Sequence, residues 1–352
     1  MAETQKSSAT DEPGLPANLI YVSDEEPGFR RKRAGRGFYY VAPDGNRLGD
    51  EAHIQRIRSL AIPPAYENVW ITTEPLGHMQ ATGRDQRGRK QYRYHPLWHE
   101  HRDQTKYGDL VRFAELLPVI RETVDRDLRR RSLSREKVSA SVVWMLDNLL
   151  IRIGNDRYAK ENKSFGLTTL RKKHIDISGS VMKFRFKGKS GKEWNLSHTD
   201  RRIARVIRDV HDLPGQHLFK YEDEDGGRHP VRSQDINLYL REITGADISS
   251  KLFRTWAGTT LAAHLLAGTE PPQSTTDGKR KINAVIDAVS HRLGNTRAVC
   301  RRSYIHPRVI SAFEDGQFTE SFAGIRPTRA KWADWLDEEE KRLFGWLQTQ
   351  SA

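Results

Sequence analysis

Asp287–Pro307 reads DAVSHRLGNTRAVCRRSYIHP, and the rest of the chain can be organised around it. The stretch opens as the end of an amphipathic helix and reaches Gly294-Asn295, where the glycine can end that helix and the asparagine can cap a second one. The second helix carries basic residues up to Tyr304. No Asp or Glu occurs between residues 288 and 313, so we expect an unneutralised positive field that suits a phosphate and lowers the pKa of the phenol. From this stretch alone, a surface tyrosine with no special role is the commoner case.

The composition indicates a polyanionic partner. The chain has 352 residues, enough for two domains, with 59 Lys and Arg against 46 Asp and Glu, a formal net charge of +13. Basic residues recur from Arg30 to Arg308 and are not confined to one tail. The charge therefore predicts an extended binding surface, and nucleic acid is the leading candidate for the polyanion.

Cysteine content and hydropathy bear on the compartment. Cys300 is the only cysteine, which rules out a disulfide within the chain and a cysteine-rich zinc site. We therefore expect a reducing compartment and a cytoplasmic protein, nucleoid-associated if the source is bacterial. No apolar run reaches the roughly 18–20 residues of a membrane span, and the first residues lack the apolar core of a signal peptide. We expect no membrane partner.

Three regions differ in their residue patterns. Residues 1–16 are polar, contain two prolines and predict a disordered arm. Residues 17–100 alternate short apolar runs with turn residues and predict a small β-rich N-terminal domain. Residues 101–352 predict a larger, mainly α domain with a helical tail from about residue 325. The expected fold class is α+β.

The β-rich region contains one strongly basic hairpin. LIYV at 19–22 predicts a strand, and Asp44-Gly45 predicts a hairpin turn. Residues 82–95, TGRDQRGRKQYRYH, hold five Lys or Arg against one Asp, and the two tyrosines would share one face of a strand. Charges, amides and aromatic rings together suit phosphates and base edges, although a solvated hairpin with two packing tyrosines fits equally well. The DNA-contact candidates here are Arg84, Arg89, Lys90, Gln91, Tyr92 and Tyr94.

Two arginines and one lysine stand out in the helical region. Arg152 ends a very apolar helix in LLIRIG, and Arg254 enters another in FRTWAG; each is either a snorkelling surface residue or a charge placed in a cleft. Residues 174–196 predict three antiparallel strands, with Lys189 at a hairpin tip, where it either reaches a bound phosphate or is solvated. The glycine spacing of a phosphate-binding loop is missing around Gly188, so no nucleotide site is predicted.

These candidates form a set that can act on a phosphodiester without a metal. A tyrosine phenol can attack phosphorus, guanidinium groups can stabilise the charge on the non-bridging oxygens, and an ammonium can protonate the departing alkoxide. No zinc pattern or acidic pair suited to two-metal chemistry is apparent, so we expect no metal and no cofactor. The set comprises Arg152, Lys189, Arg254, Asn295 and Tyr304.

Six segments, in order along residues 60–310, resemble the type IB DNA topoisomerases, specifically their short bacterial and poxvirus-like branch. They are IPPAYENVW, QATGRDQRGRKQYRYH, IRIGNDRYAKENKSFGLTTLRKKHI, KFRFKGKSGK, FRTWAGT and LGNTRAVCRRSY. The resemblance implies Tyr304 as nucleophile, Arg152 and Arg254 as transition-state clamps, and Lys189 as general acid. Asn295 departs from the histidine of the viral and nuclear enzymes. An amide can donate a hydrogen bond but carries no charge, so this contact should be weaker and independent of pH near neutrality.

The resemblance also implies a C-shaped clamp around duplex DNA, acting as a monomer. A 3′-phosphotyrosine forms, the free strand rotates, superhelical tension falls, and the 5′-hydroxyl reseals the nick without ATP or metal. Further expected DNA contacts are Tyr158, Lys160, Arg301 and Arg302. Two alternatives remain at this point, a tyrosine site-specific recombinase and a non-catalytic architectural DNA-binding protein.

Overall fold

The computed structural model describes residues 18–35 and 37–350, and of residues 99–106 it describes the backbone alone. The predicted disordered arm, residues 1–16, lies outside the described residues. The chain divides after Gly108 into two compact units. Both helices and small antiparallel sheets are present, so the mixed helix and strand composition that the sequence predicted is confirmed.

The first unit is built on a five-stranded antiparallel sheet with the order β2-β1-β3-β4-β5. One helix, α1, covers one face, and its Ile57 is buried against Phe29, Val69 and Ile71 of the sheet. Asp50 caps this helix by accepting hydrogen bonds from two backbone N–H groups of its first turn. The elements are β1 (Phe29–Ala34), β2 (Gly37–Val41), α1 (Glu51–Ser59), β3 (Glu67–Ile71), β4 (Met79–Arg84) and β5 (Lys90–Tyr94).

One local prediction in this unit was wrong, and one strand was missed. LIYV at 19–22 is not a strand: Ile20 forms only an isolated bridge to Gly77. The two buried residues of this segment are its first and last, Leu19 and Val22, so burial does not alternate as it would in a strand. The true first strand is the charged β1, which periodicity misses. Its Arg31 lies in a strand because the guanidinium donates to three loop carbonyls, including Tyr66 O at 2.7 Å. The predicted turn at Gly45 is present, with φ +87°.

The second unit is mainly helical. Its three-stranded sheet, β6-β7-β8, is antiparallel, as the sequence predicted. Helix α2 begins in the first unit and continues into the second. The helices are α2 (Pro96–Leu128), α3 (Arg135–Asn148), α4 (Asp156–Asn162), α5 (Arg201–Asp212), α6 (Ser233–Thr244), α7 (Lys251–Ala267), α8 (Thr275–Leu293), α9 (Arg297–Ser303), α10 (Pro307–Glu314), α11 (Phe318–Ala323) and α12 (Glu338–Thr349). The strands are β6 (Ile175–Ser178), β7 (Val181–Lys187), β8 (Glu193–Thr199), β9 (Lys220–Glu222) and β10 (Arg228–Pro230).

Helix α7 lies at the centre of this unit. Its buried face includes Phe253 and Trp256, and it packs against α8, α10, α11 and α12. The helix that the sequence predicted to be amphipathic and to end at Gly294 is α8, and its apolar stripe is buried: Ile282, Val285, Ile286, Val289 and Leu293. Helix α12 buries Phe344 and Trp346, which confirms that the tail packs on the unit. No helix among the described residues is both long and apolar enough to span a membrane.

A buried ionic cluster centred on Arg121 joins α2, α3, α7 and α12. All five guanidinium N–H donors are used: two bonds go to Asp147 (2.8 and 3.0 Å), two to Glu340 (2.6 and 2.9 Å) and one to Trp335 O (2.6 Å). Trp256 Nε1 also donates to Glu340, at 2.9 Å. Burial alone would lower the pKa of Arg121, but the two carboxylates raise it.

Candidate active site

Tyr304 is the residue on which the candidate site converges. It follows the last turn of α9, and its N–H donates to Cys300 O at 2.9 Å. The backbone beyond it is docked on α7, where His306 N donates to Thr259 Oγ1 at 3.1 Å. Gly258 of α7 permits this approach, because a Cβ built there would lie 2.5 Å from Tyr304 O. The absence of a side chain at Gly258 thus sets the position of the tyrosine.

Arg254 of α7 lies against that tyrosine. It is 2% exposed, and its Cζ is 5.0 Å from the centroid of the Tyr304 ring. Its Nη1 donates to Leu150 O and its Nη2 donates to Leu293 O at 2.6 Å. Burial, with the nearby charge of Arg152, lowers the pKa of Arg254 to about 10. The prediction that this arginine points into a protected site, not into solvent, is consistent with its burial, and its Nε is a buried donor without a partner among the described residues.

Arg152 reaches the site from an extended segment, not from a helix end. Helix α3 stops at Asn148, so the predicted apolar helix through LLIRIG was wrong in its last turn. Leu150 turns the chain with φ +56°. The segment is then held by a loop: Leu167 N donates to Arg152 O at 2.9 Å, and a Cβ on Gly166 would lie 2.5 Å from that oxygen. The arginine is therefore positioned by backbone contacts.

Asn295 has a different role from the helix cap that the sequence suggested. Gly294 does end α8, with φ +61°, but Thr296 caps α9 by accepting from Val299 N at 3.4 Å. The Oδ1 of Asn295 instead accepts a hydrogen bond from Arg152 Nη2. Its Nδ2 is buried and has no hydrogen-bond partner among the described residues. A donor is thus left unsatisfied within the site.

The positive field at the phenol comes from other elements and not from α9. Burial raises the pKa of Tyr304, but the charges of Arg254 and Arg152, which also lie within hydrogen-bonding reach, outweigh it, and the net pKa is lowered. The expectation of an unneutralised arginine cluster on α9 was wrong. Arg297 Nε pairs with Asp287 at 2.6 Å and Arg301 pairs with Glu314 at 3.3 Å, because acids just outside the stretch fold back onto it.

Lys189 lies at the tip of the β7–β8 hairpin, as predicted. The tip is a short 3₁₀ turn, Lys189–Gly191, in which Ser190 has φ +63°. The lysine is exposed, and its ammonium has no hydrogen bond or ion pair within the described part of the chain. At the end of β7, next to the tip, Phe165 N donates to Lys187 O at 2.7 Å. This bond ties the hairpin to the loop that holds Arg152.

Cys300 is a neighbour of the site that the sequence did not indicate. It is fully buried beneath Tyr304 and within reach of the Asn295 side chain. Burial raises the pKa of its thiol, and the charges of Arg254 and Arg152 oppose the rise. From the sequence, a single cysteine indicates only a reducing compartment, because no local pattern shows that it lies near the two arginines. The contacts of Gly258 and Thr259 with the segment Tyr304–His306 were also missed, since they join residues more than 40 positions apart.

The remaining second-unit candidates are surface residues. Tyr158 on α4 is 56% exposed, and Lys160 is exposed beside it. Asn155 caps this helix by accepting from two backbone N–H groups. Arg301 and Arg302 are exposed on α9. No group of three or more His, Cys, Asp or Glu side chains in the described residues has an arrangement that could hold a metal ion.

In the first unit, the predicted basic hairpin is the β4–β5 pair. The expected shared face of its tyrosines is confirmed, since the rings of Tyr92 and Tyr94 stack with centroids 5.8 Å apart. Several basic and amide groups already have partners. Arg89 and Gln91 both bind Asp85, at 2.7 and 3.0 Å. Two further contacts are Lys90 with Asp24 at 2.5 Å and Arg84 Nη1 with Gly88 O at 2.8 Å.

Comparison with known proteins gives the family. Residues 93–321 match the model of the eukaryotic DNA topoisomerase I catalytic core, and residues 37–85 match that of the bacterial DNA topoisomerase IB N-terminal domain. The DNA topoisomerase 1B of Acanthamoeba polyphaga mimivirus is 32% identical over 295 residues, covering 82% of this chain and 88% of the viral protein. The DNA topoisomerase I of monkeypox virus and the DNA topoisomerase 1B of vaccinia virus are each 23% identical over 271 residues, covering 76% of this chain and 82% of theirs. With a phenol held between two arginines and matches over most of its length, the chain belongs to the type IB DNA topoisomerases.

Proposed function

We propose that this protein relaxes supercoiled DNA by cutting and resealing one strand through Tyr304. The observation that carries the proposal is the environment of the phenol, which two guanidinium groups contact while two buried donors, Arg254 Nε and Asn295 Nδ2, lack partners. Buried unsatisfied donors are costly. A phosphate oxygen in the same space would satisfy them, which explains their retention in a folded protein.

The chemistry follows from these groups. The oxygen of Tyr304 attacks the phosphorus as its proton leaves to solvent, the bond to the 5′ oxygen breaks, and a 3′-phosphotyrosine forms. Arg152 and Arg254 stabilise the charge that accumulates on the non-bridging oxygens. Lys189 donates a proton to the departing 5′ oxygen, which an alkoxide needs more than a phenoxide does. Resealing reverses each step, so the phosphotyrosine conserves the bond energy and no nucleotide, metal or cofactor takes part.

Asn295 contributes a neutral hydrogen bond. Its Oδ1 is bound to Arg152, so the buried Nδ2 is the part of its amide that has donors left for a phosphate oxygen. A neutral donor gives a weaker bond to an anion than a charged one does. This contact therefore does not titrate near neutral pH, in contrast to a histidine at the same position.

DNA contacts outside the site are proposed on both units. The candidates of the first unit need a rearrangement, since Arg89, Lys90 and Gln91 are bound to Asp85 or Asp24 in the free protein. Phosphate groups would replace these carboxylates, with strong dependence on salt. The proposed set is Arg84, Arg89, Lys90, Gln91, Tyr92 and Tyr94 in the first unit and Tyr158, Lys160, Arg301 and Arg302 in the second.

The larger arrangement is part of the same proposal. A β-rich domain at 17–100 and a catalytic domain at 101–352 would close around duplex DNA as a C-shaped clamp. One monomer suffices, because all five catalytic candidates lie in one unit of one chain. Action on chromosomal DNA is consistent with a cytoplasmic, nucleoid-associated protein.

Supercoiled plasmid in buffer with EDTA and without ATP tests the function. We expect relaxation by the wild type, and no relaxation but retained DNA binding by Tyr304→Phe. The wild type, stopped with detergent, should carry a covalent 3′ adduct that the variant lacks. Unchanged supercoiling with the wild type would exclude the topoisomerase reaction. Strand exchange between duplexes would indicate a recombinase, and full activity of Tyr304→Phe would indicate an architectural protein.

A further inference from the structure

Trp194 of β8 is a residue outside the proposed chemistry that touches both sides of the site. It lies opposite Phe186 in the β7–β8 ladder, and the two rings stack with centroids 5.8 Å apart and planes 4° apart. One edge of the indole faces Gly188, the residue before Lys189. A Cβ built on Gly188 would lie 2.7 Å from Trp194 Nε1.

The other end of the indole faces Gly294, the residue before Asn295. A Cβ built on Gly294 would lie 2.8 Å from Trp194 Cζ2. Both distances are too short for any side chain other than hydrogen. The indole is therefore enclosed between two glycines, each directly preceding a residue of the proposed site. Gly294 also needs its left-handed φ of +61° to end α8, so two separate constraints require glycine there.

This contact joins the hairpin to the α8–α9 turn near its tip. A backbone bond on the β7 side of the same end, Phe165 N to Lys187 O at 2.7 Å, ties the hairpin to a different loop. The tip itself is closed by three internal backbone hydrogen bonds, the shortest from Gly188 N to Lys192 O at 2.8 Å, and Lys189, Ser190 and Lys192 are exposed. Of the ring contacts within the described residues, the stack on Phe186 is the one that fixes the indole to the hairpin. Without Trp194 this end of the hairpin would keep its local turn and the bond at Lys187 but lose its contact with the turn that carries Asn295.

We propose that Trp194 is a positioning residue, which holds the β7–β8 tip against Gly294 so that Lys189 meets the leaving oxygen of the phosphate bound at Asn295 and Tyr304. The proposal rests on the general-acid role of Lys189 given above. An exposed lysine on a short turn samples many rotamers, so its contribution depends on where the turn is held. Misplacement of a catalytic group by about 1 Å can cost roughly 100-fold in rate.

Single-turnover cleavage of two DNA substrates tests the proposal. One has an ordinary phosphodiester at the cleavage site, and the other has a 5′-bridging sulfur, which leaves without protonation. We expect Trp194→Ala to cleave the ordinary substrate about 10- to 100-fold more slowly, a loss within the range of general-acid catalysis, and to cleave the sulfur substrate within about threefold of the wild type. Trp194→Phe, which keeps an aromatic plane, should recover much of the loss.

Two further comparisons make the result specific. In a Lys189→Ala background, Trp194→Ala should cause no further loss, because both changes act on the same proton transfer. Trp332→Ala, which removes an indole from the tail, should cleave both substrates at the wild-type rate. The proposal would be overturned by equal slowing on the two substrates, by additive losses with Lys189→Ala, or by a Trp194→Ala variant that cleaves at the wild-type rate. A Trp194→Ala protein that fails to fold would slow cleavage of both substrates equally and would therefore also overturn it.

The sulfur substrate also distinguishes failure of the general-acid role of Lys189 from failure of the positioning role of Trp194. If Lys189→Ala alone is not rescued by the sulfur substrate, the general-acid role is wrong and the proposal for Trp194 is overturned with it. If Lys189→Ala is rescued and Trp194→Ala is not, the general-acid role stands and only the positioning role is wrong.

Discussion

Replacing Arg121 by Leu should strongly destabilise the second unit. The substitution removes five hydrogen bonds and leaves the carboxylates of Asp147 and Glu340 facing each other, with side chains only 15% and 7% exposed. Breaking a buried ion pair by removing one partner costs roughly 3–5 kcal/mol. For a unit of this size, about 2–4 °C per kcal/mol applies, so the melting temperature should fall by roughly 6–20 °C. The substitution also disturbs Glu340, which accepts hydrogen bonds from Trp256 Nε1 and from the backbone N–H of Asp337, the residue that caps α12.

The loss should depend on pH in a defined direction. Burial raises the pKa of Asp147, and Arg121 opposes that rise in the wild type, so the pKa rises further in Arg121→Leu. A carboxyl group whose folded pKa lies above its unfolded value contributes stability below the unfolded pKa, near 4, and loses it as the pH rises towards the folded pKa. The loss of unfolding free energy in Arg121→Leu should therefore be largest at neutral pH and smaller in mildly acidic buffer.

Thermal unfolding followed by tryptophan fluorescence at neutral and mildly acidic pH measures both effects. Arg280→Leu is the matched control: it removes an exposed arginine 2.7 Å from Asp277, which keeps its second cation Lys281. Exposed pairs contribute about 0–1 kcal/mol, so this variant should melt close to the wild type. A loss in Arg121→Leu no larger than in the control, or one that grows as the pH falls, would refute the reasoning.

Three further predictions concern the site. Gly258→Ala introduces a Cβ 2.5 Å from Tyr304 O and should slow single-turnover cleavage by roughly 100-fold. In the control Gly268→Ala, the nearest atom to the new Cβ is 3.8 Å away, so the cleavage rate should not change. Equal rates for the two variants would contradict the contact between Gly258 and Tyr304. Ultraviolet difference titration of the wild type against Tyr304→Phe should show a phenol with a pKa below the ordinary value of about 10, because the two arginines outweigh burial; a value at or above 10 would count against that account. Asn295→Ala should reduce the cleavage rate about tenfold, the equivalent of one hydrogen bond to a charged group, and Asn295→His should introduce a pH dependence near 6.5; profiles that are equally flat for asparagine and histidine would argue against contact with the phosphate.

The local elements of this protein follow from its sequence. The stripe on α8, the glycine that ends it, the three antiparallel strands and the stacked tyrosines of β5 were all predicted, because helix and strand periods and left-handed glycines are set by neighbours within a few residues. The errors lie where local patterns are silent or misleading. Charged β1 is a strand because of carbonyls more than 30 residues away, and α3 stops before Arg152 because Leu150 turns the chain.

The site shows the same division. The sequence alone predicted its chemistry: Tyr304, Arg152, Lys189 and Arg254 occur in an order that resembles one family, and the family is confirmed. Only the tertiary structure decided which charges act on the phenol. Arg297 and Arg301, close to it in sequence, pair with Asp287 and Glu314, whereas the arginines that lower its pKa come from segments some 50 and 150 residues away. Electrostatic effects depend on distance in space and on burial, and the spacing of residues along a chain determines neither.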